Sequence, residues 1–99
     1  MEEVMPVYIA LTVLNEAGRK AMKEDPARIK AHNKQLARFG VKVLAQYATL
    51  GQYDFVNVFE AASDDAIYKA AVQLTGGGVL QTITLAAKTA DDFIAAAQA

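Results

Sequence analysis

Three polar residues of this 99-residue chain have side chains that could take part in acid–base chemistry, namely His32, Tyr53 and Asn57. His32 is the only histidine, and an imidazole titrates near neutral pH, as a general base requires. The phenol of Tyr53 and the amide of Asn57 are donors that can steady a developing oxyanion. The sequence shows no nucleophile–base pair beside them, so these residues permit a reaction without specifying one.

His32 belongs to a stripe of residues spaced for one face of a helix. Ile29, His32, Leu36 and Phe39 follow a 3-4-3 spacing. We expect this stripe to face a sheet and to bring the imidazole to the edge of a pocket, although a hydrogen-bonded core histidine would show the same pattern. Because the chain has no cysteine and no second histidine, we predict no metal site.

A turn at residues 50–54 separates two segments that resemble strands. Gly51 permits positive φ there, and Asp54 can fold its carboxylate back onto nearby amides, so a tight hairpin is predicted. Tyr53 either packs on a neighbouring strand or donates to a ligand at the sheet edge. Asn57 lies in an apolar run, where a buried amide needs partners, so it makes either an inter-strand bond or a pocket contact.

Hydrophobic periodicity predicts the elements that would position these residues. The predicted strands are 4–14, 41–49, 55–61 and 79–86, and the predicted helices are 15–23, 26–39, 64–75 and 90–98. The main elements follow the order β-α-β-β-α-β with a short C-terminal helix. This order predicts a ferredoxin-like α+β fold, in which both main helices cover one face of a four-stranded antiparallel sheet.

Capping residues support the predicted helix boundaries. Asp25 followed by Pro26 has the form of an N-cap and first helical position, and Gly40 is placed to end that helix. Ser63 is the predicted N-cap of the next main helix. Thr89, with an acid three residues later, resembles a capping box for the last helix.

The sheet face that the helices leave uncovered suggests self-association. We expect this face to carry Tyr8, Ala10 and Thr12 on the first strand, with Thr82 and Thr84 on the last. These residues are semi-polar but uncharged, whereas a fully solvated face normally carries charges. Two such sheets packed face to face would bury it, so we predict a homodimer or higher homo-oligomer.

Length and composition favour a single small domain that spans residues 1–99. A net charge of −1 without a basic stripe argues against a nucleic-acid partner, which would need a positive footprint. Met1 is followed by Glu2 and Glu3 rather than by basic residues, and neither a signal peptide nor a membrane span is visible. We therefore expect a cytoplasmic protein that does not bind membranes.

Three segments carry a resemblance to a known family. They are Tyr47-Ala48-Thr49-Leu50-Gly51-Gln52-Tyr53-Asp54-Phe55-Val56, Pro6-Val7-Tyr8-Ile9-Ala10-Leu11-Thr12 and Pro26-Ala27-Arg28. From about Met5 to Thr89, the chain resembles the GYD domain family, with Gln52 inserted into the Gly-Tyr-Asp of the name. The resemblance implies membership of the dimeric α/β barrel group. That group includes cofactor-independent monooxygenases, isomerases and stress-response proteins that bind compact organic ligands between sheet and helices.

Three functional hypotheses follow from the residues and the resemblance. The first is a homo-oligomeric module that binds a small organic ligand, without a cofactor, in a pocket with six candidate residues: Tyr8, Thr12, His32, Tyr47, Tyr53 and Asn57. The second is a cofactor-free isomerase or monooxygenase with His32 as its candidate catalytic base. The third is a structural or regulatory interaction protein, which needs no pocket. Shared fold alone does not choose among them, but the missing nucleophile–base pair favours the first.

Overall fold

The computed structural model of the chain describes residues 5–76, 78 and 80–98. In chain order, the strands and helices are β1 (Val7–Leu14), α1 (Glu16–Glu24), α2 (Arg28–Arg38), β2 (Val41–Ala48), β3 (Phe55–Ala61), α3 (Asp64–Thr75), β4 (Leu80–Ala87) and α4 (Ala90–Gln98). None of the helices within this described part is long and apolar enough to cross a membrane.

The strands form one antiparallel sheet in the order β2-β3-β1-β4. β1 lies in the centre, where Ala10 is opposite Asn57 of β3 and Thr12 is opposite Thr82 of β4. The predicted ferredoxin-like α+β arrangement is therefore confirmed. The sheet of a single chain is open, with β2 and β4 at its two edges.

Capping residues hold several helix ends, including the predicted Gly40, Ser63 and Thr89. The side chain of Asn15 accepts a hydrogen bond from the amide of Gly18 at the start of α1, at 2.9 Å. Ser63 caps α3, and Thr89 Oγ1 accepts the amide hydrogen bond of Asp92 at 3.1 Å at the start of α4. Gly40 follows α2 with a φ of 79°, a conformation that glycine adopts readily.

The predicted start of the second helix is wrong. α2 begins at Arg28, and its N-cap is Ala27, which has no capping side chain. Asp25 instead ends α1, because its amide donates to the carbonyl of Ala21 at 3.0 Å. Pro26 and Ala27 form the short turn between the two helices, in which the amide of Arg28 donates to the carbonyl of Asp25 at 3.1 Å.

The core lies between the sheet and the helices α2 and α3. Its buried residues are Tyr8, Ala10, Leu36, Val41, Phe59, Ala61 and Ala70. Alternate residues of β1 are buried, so Tyr8, Ala10 and Thr12 face the helices. The prediction that these residues lie on the uncovered face is therefore wrong.

The prediction that Thr82 and Thr84 lie on the uncovered face is also wrong. Both line the space under α2 and α3 with Ala10 and Thr12. Residues alternate along both strands as predicted, but alternation gives two sets of residues without saying which set faces the helices. In this protein, the set that includes the uncharged polar residues Thr12, Thr82 and Thr84 faces the helices.

The opposite sheet face is mainly apolar, and it also carries Lys42 and Glu60, which are opposite each other on β2 and β3. Val7, Ile9, Leu11 and Val13 of β1 point to it, since they alternate with the buried residues. Its exposed large side chains are Leu44 (45% exposed), Tyr47 (62%), Ile83 (51%) and Leu85 (47%). We call these residues, with the four from β1, the open face.

Candidate functional site

A cavity of about 60 Å³ lies between the sheet and the helices. α2 contributes Ile29, His32 and Leu36 to its wall, and α3 contributes Ile67 and Ala70. The floor consists of inward-facing residues from all four strands: Ala10, Thr12, Gln46, Asn57, Phe59 and Thr82. The site is therefore mainly apolar with a few converging polar groups, as is typical of small-molecule sites.

His32 reaches this cavity from the inward stripe of α2. Leu36 of the same stripe is buried and Phe39 packs against the core, which is the arrangement predicted from their spacing. Burial of the half-exposed imidazole lowers the pKa of His32, and the nearby positive charge of Arg28 lowers it further. The ring is consequently neutral near pH 7, with one nitrogen able to donate a hydrogen bond and the other able to accept one.

A chain of side-chain amides crosses the floor from α2 to β1. Asn33 and Gln46 exchange two hydrogen bonds, of 2.9 and 3.1 Å. Gln46 Nε2 donates a further bond of 2.8 Å to Asn57 Oδ1, and Asn57 Nδ2 donates to Thr12 Oγ1 at 3.3 Å. Asn57 Nδ2 also donates to the carbonyl oxygen of Ala10 at 3.3 Å. Four elements are thus linked through polar groups beneath the helices.

The donors of this network are largely used within the protein. Both N–H groups of Gln46 and both of Asn57 have partners in the bonds just described. Asn57 is 5% exposed, so these partners are what makes its burial acceptable. Asn57 therefore makes inter-strand hydrogen bonds, which is one of its two predicted roles. It also lines the cavity, where the other predicted role would place it.

Thr82 is different, because its buried hydroxyl oxygen has no hydrogen-bond partner among the described residues. It lies on β4 directly opposite Thr12 and contributes to the cavity wall. A buried hydroxyl without a partner costs free energy unless a water or a ligand satisfies it. Thr82 is thus the polar group of the cavity most in need of a partner.

Tyr8 lies outside the cavity wall. Its side chain is buried in the core, and its hydroxyl donates a hydrogen bond to Asp64 Oδ1 at the start of α3. This bond to a carboxylate, together with burial and the negative charge of Asp64, raises the pKa of Tyr8 to about 12. The phenol is therefore engaged inside the protein, which gives Tyr8 a structural role.

The two other candidate tyrosines also lie apart from the cavity wall. Tyr47 points to the open face and is 62% exposed. Tyr53 is half-buried in the turn, where its carbonyl accepts a 2.5 Å hydrogen bond from Thr49 Oγ1. Of the predicted ligand-binding residues, the structure brings Thr12, His32 and Asn57 together around one cavity.

Asp54 ties the turn to the central strand, as the hairpin prediction required. Its carboxylate accepts a 2.7 Å hydrogen bond from the amide of Leu14, and its own amide donates to the carbonyl of Thr12 at 2.8 Å. Gly51 has a φ of 109°, so the predicted positive φ is confirmed. The Gly51 to Asp54 segment thus holds the end of β1 that carries Thr12.

Sequence reasoning does not identify Asn33 or Gln46, and it places Thr82 on the wrong face of the sheet. Asn33 is four residues after Ile29, so helical spacing already placed it at the edge of the inward stripe. Gln46 lies on β2, beside Asn57 of β3, and a buried amide in a strand calls for such a partner. Thr82 gave no comparable signal, because its lack of a partner appears only once the strands are packed. No group of three or more His, Cys, Asp or Glu suited to a metal ion occurs within residues 5–76, 78 and 80–98.

The sequence is similar to a known domain family and to a bacterial protein over most of its length. The GYD domain matches residues 8–97 of the chain. The chain is also 45% identical over 92 residues to the "Glutamine synthetase and cystathionine beta-lyase binding protein" of Thermus thermophilus, covering 92% of this chain and 97% of that relative. On both grounds, the chain belongs to the GYD domain family.

Proposed function

We propose that this protein acts by binding, as a homo-oligomeric accessory protein that associates with enzymes of amino-acid metabolism. The observation that carries the proposal is the 45% identity to the Thermus relative over nearly the full length of both chains. That relative is named as a binding protein for glutamine synthetase and cystathionine β-lyase, so these two enzymes are the first candidate partners. Because such enzymes act in the cytoplasm, we expect this protein there.

Self-association is supported by the open face. Leu44, Tyr47, Ile83 and Leu85 form a broad apolar surface on the side of the sheet opposite α2 and α3. Large contiguous apolar surfaces are uncommon on monomers and mark contacts with other molecules. Burial of several hundred Å² of apolar area, at about 25 cal/mol per Å², would offset much of the cost of association.

Contact with a second copy of the chain would be more favourable for this apolar surface than contact with water. The sheet of one chain is open, and a second sheet packed on it would form a two-layer core, as in other sheet-on-sheet contacts. A two-fold arrangement would present the same patch from both chains. Association with an enzyme would then use surfaces outside the open face, including the exposed Tyr68 and Val72 on α3.

The enzyme-binding proposal is tested by titrating the immobilised protein with purified glutamine synthetase and with cystathionine β-lyase from the same organism. We expect saturable binding of at least one enzyme, and no binding of an unrelated enzyme of similar charge. If neither enzyme binds at concentrations up to about 100 µM, a range that covers even weak specific complexes, the proposal is wrong.

A second candidate function, binding of a small organic ligand, is supported by the cavity and by the unpaired hydroxyl of Thr82. Crystals of protein purified without added ligand would test it, since a retained molecule would appear as density beside Thr82. The cofactor-free enzyme alternative depends on His32, the ionisable side chain among the described residues that line the cavity. Replacement of His32 by Gln would abolish a reaction catalysed by this base, but a binding role would survive in part.

A further inference from the structure

The chemistry of the cavity wall narrows the kind of molecule that it can hold. Among the described residues that line it, none is Asp, Glu, Lys or Arg. His32 is half-buried and neutral near pH 7. A charged ligand would therefore lose its hydration without gaining an opposite charge, which is strongly unfavourable.

The size of the cavity sets a second limit. Its volume is about 60 Å³, and one water-sized group occupies roughly 10–15 Å³ on this measure. The space thus accommodates about four to six non-hydrogen atoms. Leu36, Phe59 and Ile67 supply apolar wall, so most of these atoms should be carbon.

The polar groups set a third limit. Gln46 and Asn57 already donate all their amide hydrogens to protein acceptors, so they have no N–H group free for a ligand. The hydroxyl of Thr82 has no partner among the described residues and can both donate and accept. One oxygen atom on the ligand, from either a hydroxyl or a carbonyl group, would satisfy it.

We propose that the cavity binds a small uncharged molecule that has an apolar body and a hydroxyl or carbonyl oxygen, with that oxygen paired to Thr82 Oγ1. The inference rests on the second candidate function, that the cavity is a ligand site. It adds the chemical class of the ligand and the residue that orients it. The apolar body lies against Leu36, Phe59 and Ile67.

The test uses probes of one shape and different charge. 2-Propanol, acetate and the isopropylammonium ion each have four non-hydrogen atoms in the same branched arrangement, but they are neutral, anionic and cationic. Each is titrated into methyl-labelled protein at neutral pH while the NMR signals of Leu36 and Ile67 are followed. The methyl groups of Ile83 and Leu85 on the open face report non-specific binding.

We expect 2-propanol to shift the signals of Leu36 and Ile67 saturably, with a Kd on the order of 1–10 mM for so few atoms. Acetate and the isopropylammonium ion should bind at least about tenfold more weakly, because nothing in the wall compensates their charge. The signals of Ile83 and Leu85 should not saturate together with those of the cavity.

Variants of Thr82 test the orienting contact. Thr82→Val keeps the side-chain shape but removes the hydroxyl, so 2-propanol should bind about fivefold to tenfold more weakly, as expected for one lost hydrogen bond. Thr82→Ser keeps the hydroxyl and should retain most of the affinity. Thr75→Val is the matched control, since Thr75 is not among the residues that line the cavity and its hydroxyl already donates to the carbonyl of Ala71.

Each remaining outcome overturns a defined part of the inference. Equal binding of acetate or isopropylammonium would show that the neutral class is wrong, although the cavity would still be a ligand site. Unchanged affinity in Thr82→Val would show that Thr82 does not orient the ligand. If none of the probes produces saturable shifts at Leu36 and Ile67, both the inference and the ligand-binding candidate fail, whereas enzyme association would stand.

Discussion

Gln46 and Asn57 meet across the β2–β3 pair, where Gln46 Nε2 donates a 2.8 Å hydrogen bond to Asn57 Oδ1. This bond joins the half-buried end of the amide network, at Asn33 on α2, to its buried end at Thr12 on β1. The inward face of the sheet thus holds a polar strip within an apolar core. The strip fixes the floor of the cavity, because its members hold one another in place.

Removal of Asn57 should destabilise the protein more than removal of Gln46. Asn57→Ala leaves Gln46 Nε2 and the buried carbonyl of Ala10 short of partners, so we expect a loss of about 2 kcal/mol in the free energy of unfolding. Gln46→Ala should cost about 1 kcal/mol, since Gln46 is only half-buried. Urea unfolding provides the measurement, and exposed Gln81→Ala is the control with an expected change within about 0.5 kcal/mol.

The double variant Gln46→Ala/Asn57→Ala tests whether the two amides interact directly. If Gln46 and Asn57 interact as described, the effects of the two substitutions should be less than additive, because the second removes a bond that the first has already broken. Strict additivity would contradict direct coupling between the two amides. A smaller effect for Asn57→Ala than for Gln81→Ala would contradict the network itself.

Gly51→Ala should destabilise the turn through the backbone alone. At a φ of 109°, an L-residue is strained, and an added Cβ would have no atom of another residue within 4 Å apart from its chain neighbours. We expect a cost on the order of 1 kcal/mol or more, visible as a lower Tm. The neighbouring exposed Gln52→Ala serves as the control. An unchanged Tm in Gly51→Ala would mean that the turn adopts an ordinary negative φ in solution.

The lowered pKa of His32 predicts how stability changes with pH. Burial and Arg28 disfavour the protonated ring in the folded state, so below about pH 6.5 the unfolded chain binds more protons at this site. The contribution of the neutral His32 side chain to the free energy of unfolding should therefore be fully present above pH 6.5. It should be lost as the pH falls toward the lowered pKa. His32→Gln should lose less stability than the wild type between about pH 6.5 and pH 5, above the range where most carboxylates titrate.

Urea midpoints measured in half-unit steps of pH would check this expectation. Above pH 7, the urea midpoints of the wild type and of His32→Gln should change in parallel with pH. The imidazole is neutral there in both the folded and the unfolded state. The interpretation of His32 as a partly buried neutral side chain is contradicted if the stability of the wild type relative to His32→Gln increases as the pH falls from 6.5 to 5.

Local chemistry made much of the fold predictable. The bounds of β3, α3 and α4 match because each has a clear signal, such as Ser63 before two acids or Thr89 three residues before Asp92. α2 was misjudged because Asp25 and Pro26 have the form of a helix start, while the chain uses them to end α1 and turn. The local sequence is compatible with both arrangements, so the pattern alone does not place this boundary.

The candidate site was predictable only where one residue carried its own signal. His32 and Asn57 stood out because a lone histidine in an apolar stripe and an amide in an apolar strand are each unusual. The inward and outward faces of the sheet were exchanged, since Tyr8 and Thr12 are more polar than the residues between them. The Tyr8 hydroxyl is satisfied by Asp64, which is distant in sequence, so local pattern alone could not show that Tyr8 is internal.

The open face predicts that the protein is at least a dimer at micromolar concentration. Ile83→Glu places a charge within this face and should convert the oligomer to monomers of 10.6 kDa, because a buried carboxylate without a partner is strongly unfavourable. Sedimentation equilibrium provides the mass. Tyr68→Glu, a similarly exposed position on α3, is the matched control and should leave the mass unchanged. A wild-type mass of 10.6 kDa alone would contradict the assignment of the open face.

The claim that the protein works by binding enzymes is tested most directly by sedimentation velocity of a mixture. Fluorescently labelled protein is centrifuged alone and with purified glutamine synthetase from the same organism, and the experiment is repeated with cystathionine β-lyase. We expect a substantial fraction of the label to move with the fast boundary of at least one enzyme, and to return to the slow boundary when unlabelled protein competes. Label that stays in the slow boundary with both enzymes, at concentrations up to about 100 µM, would contradict the proposed function.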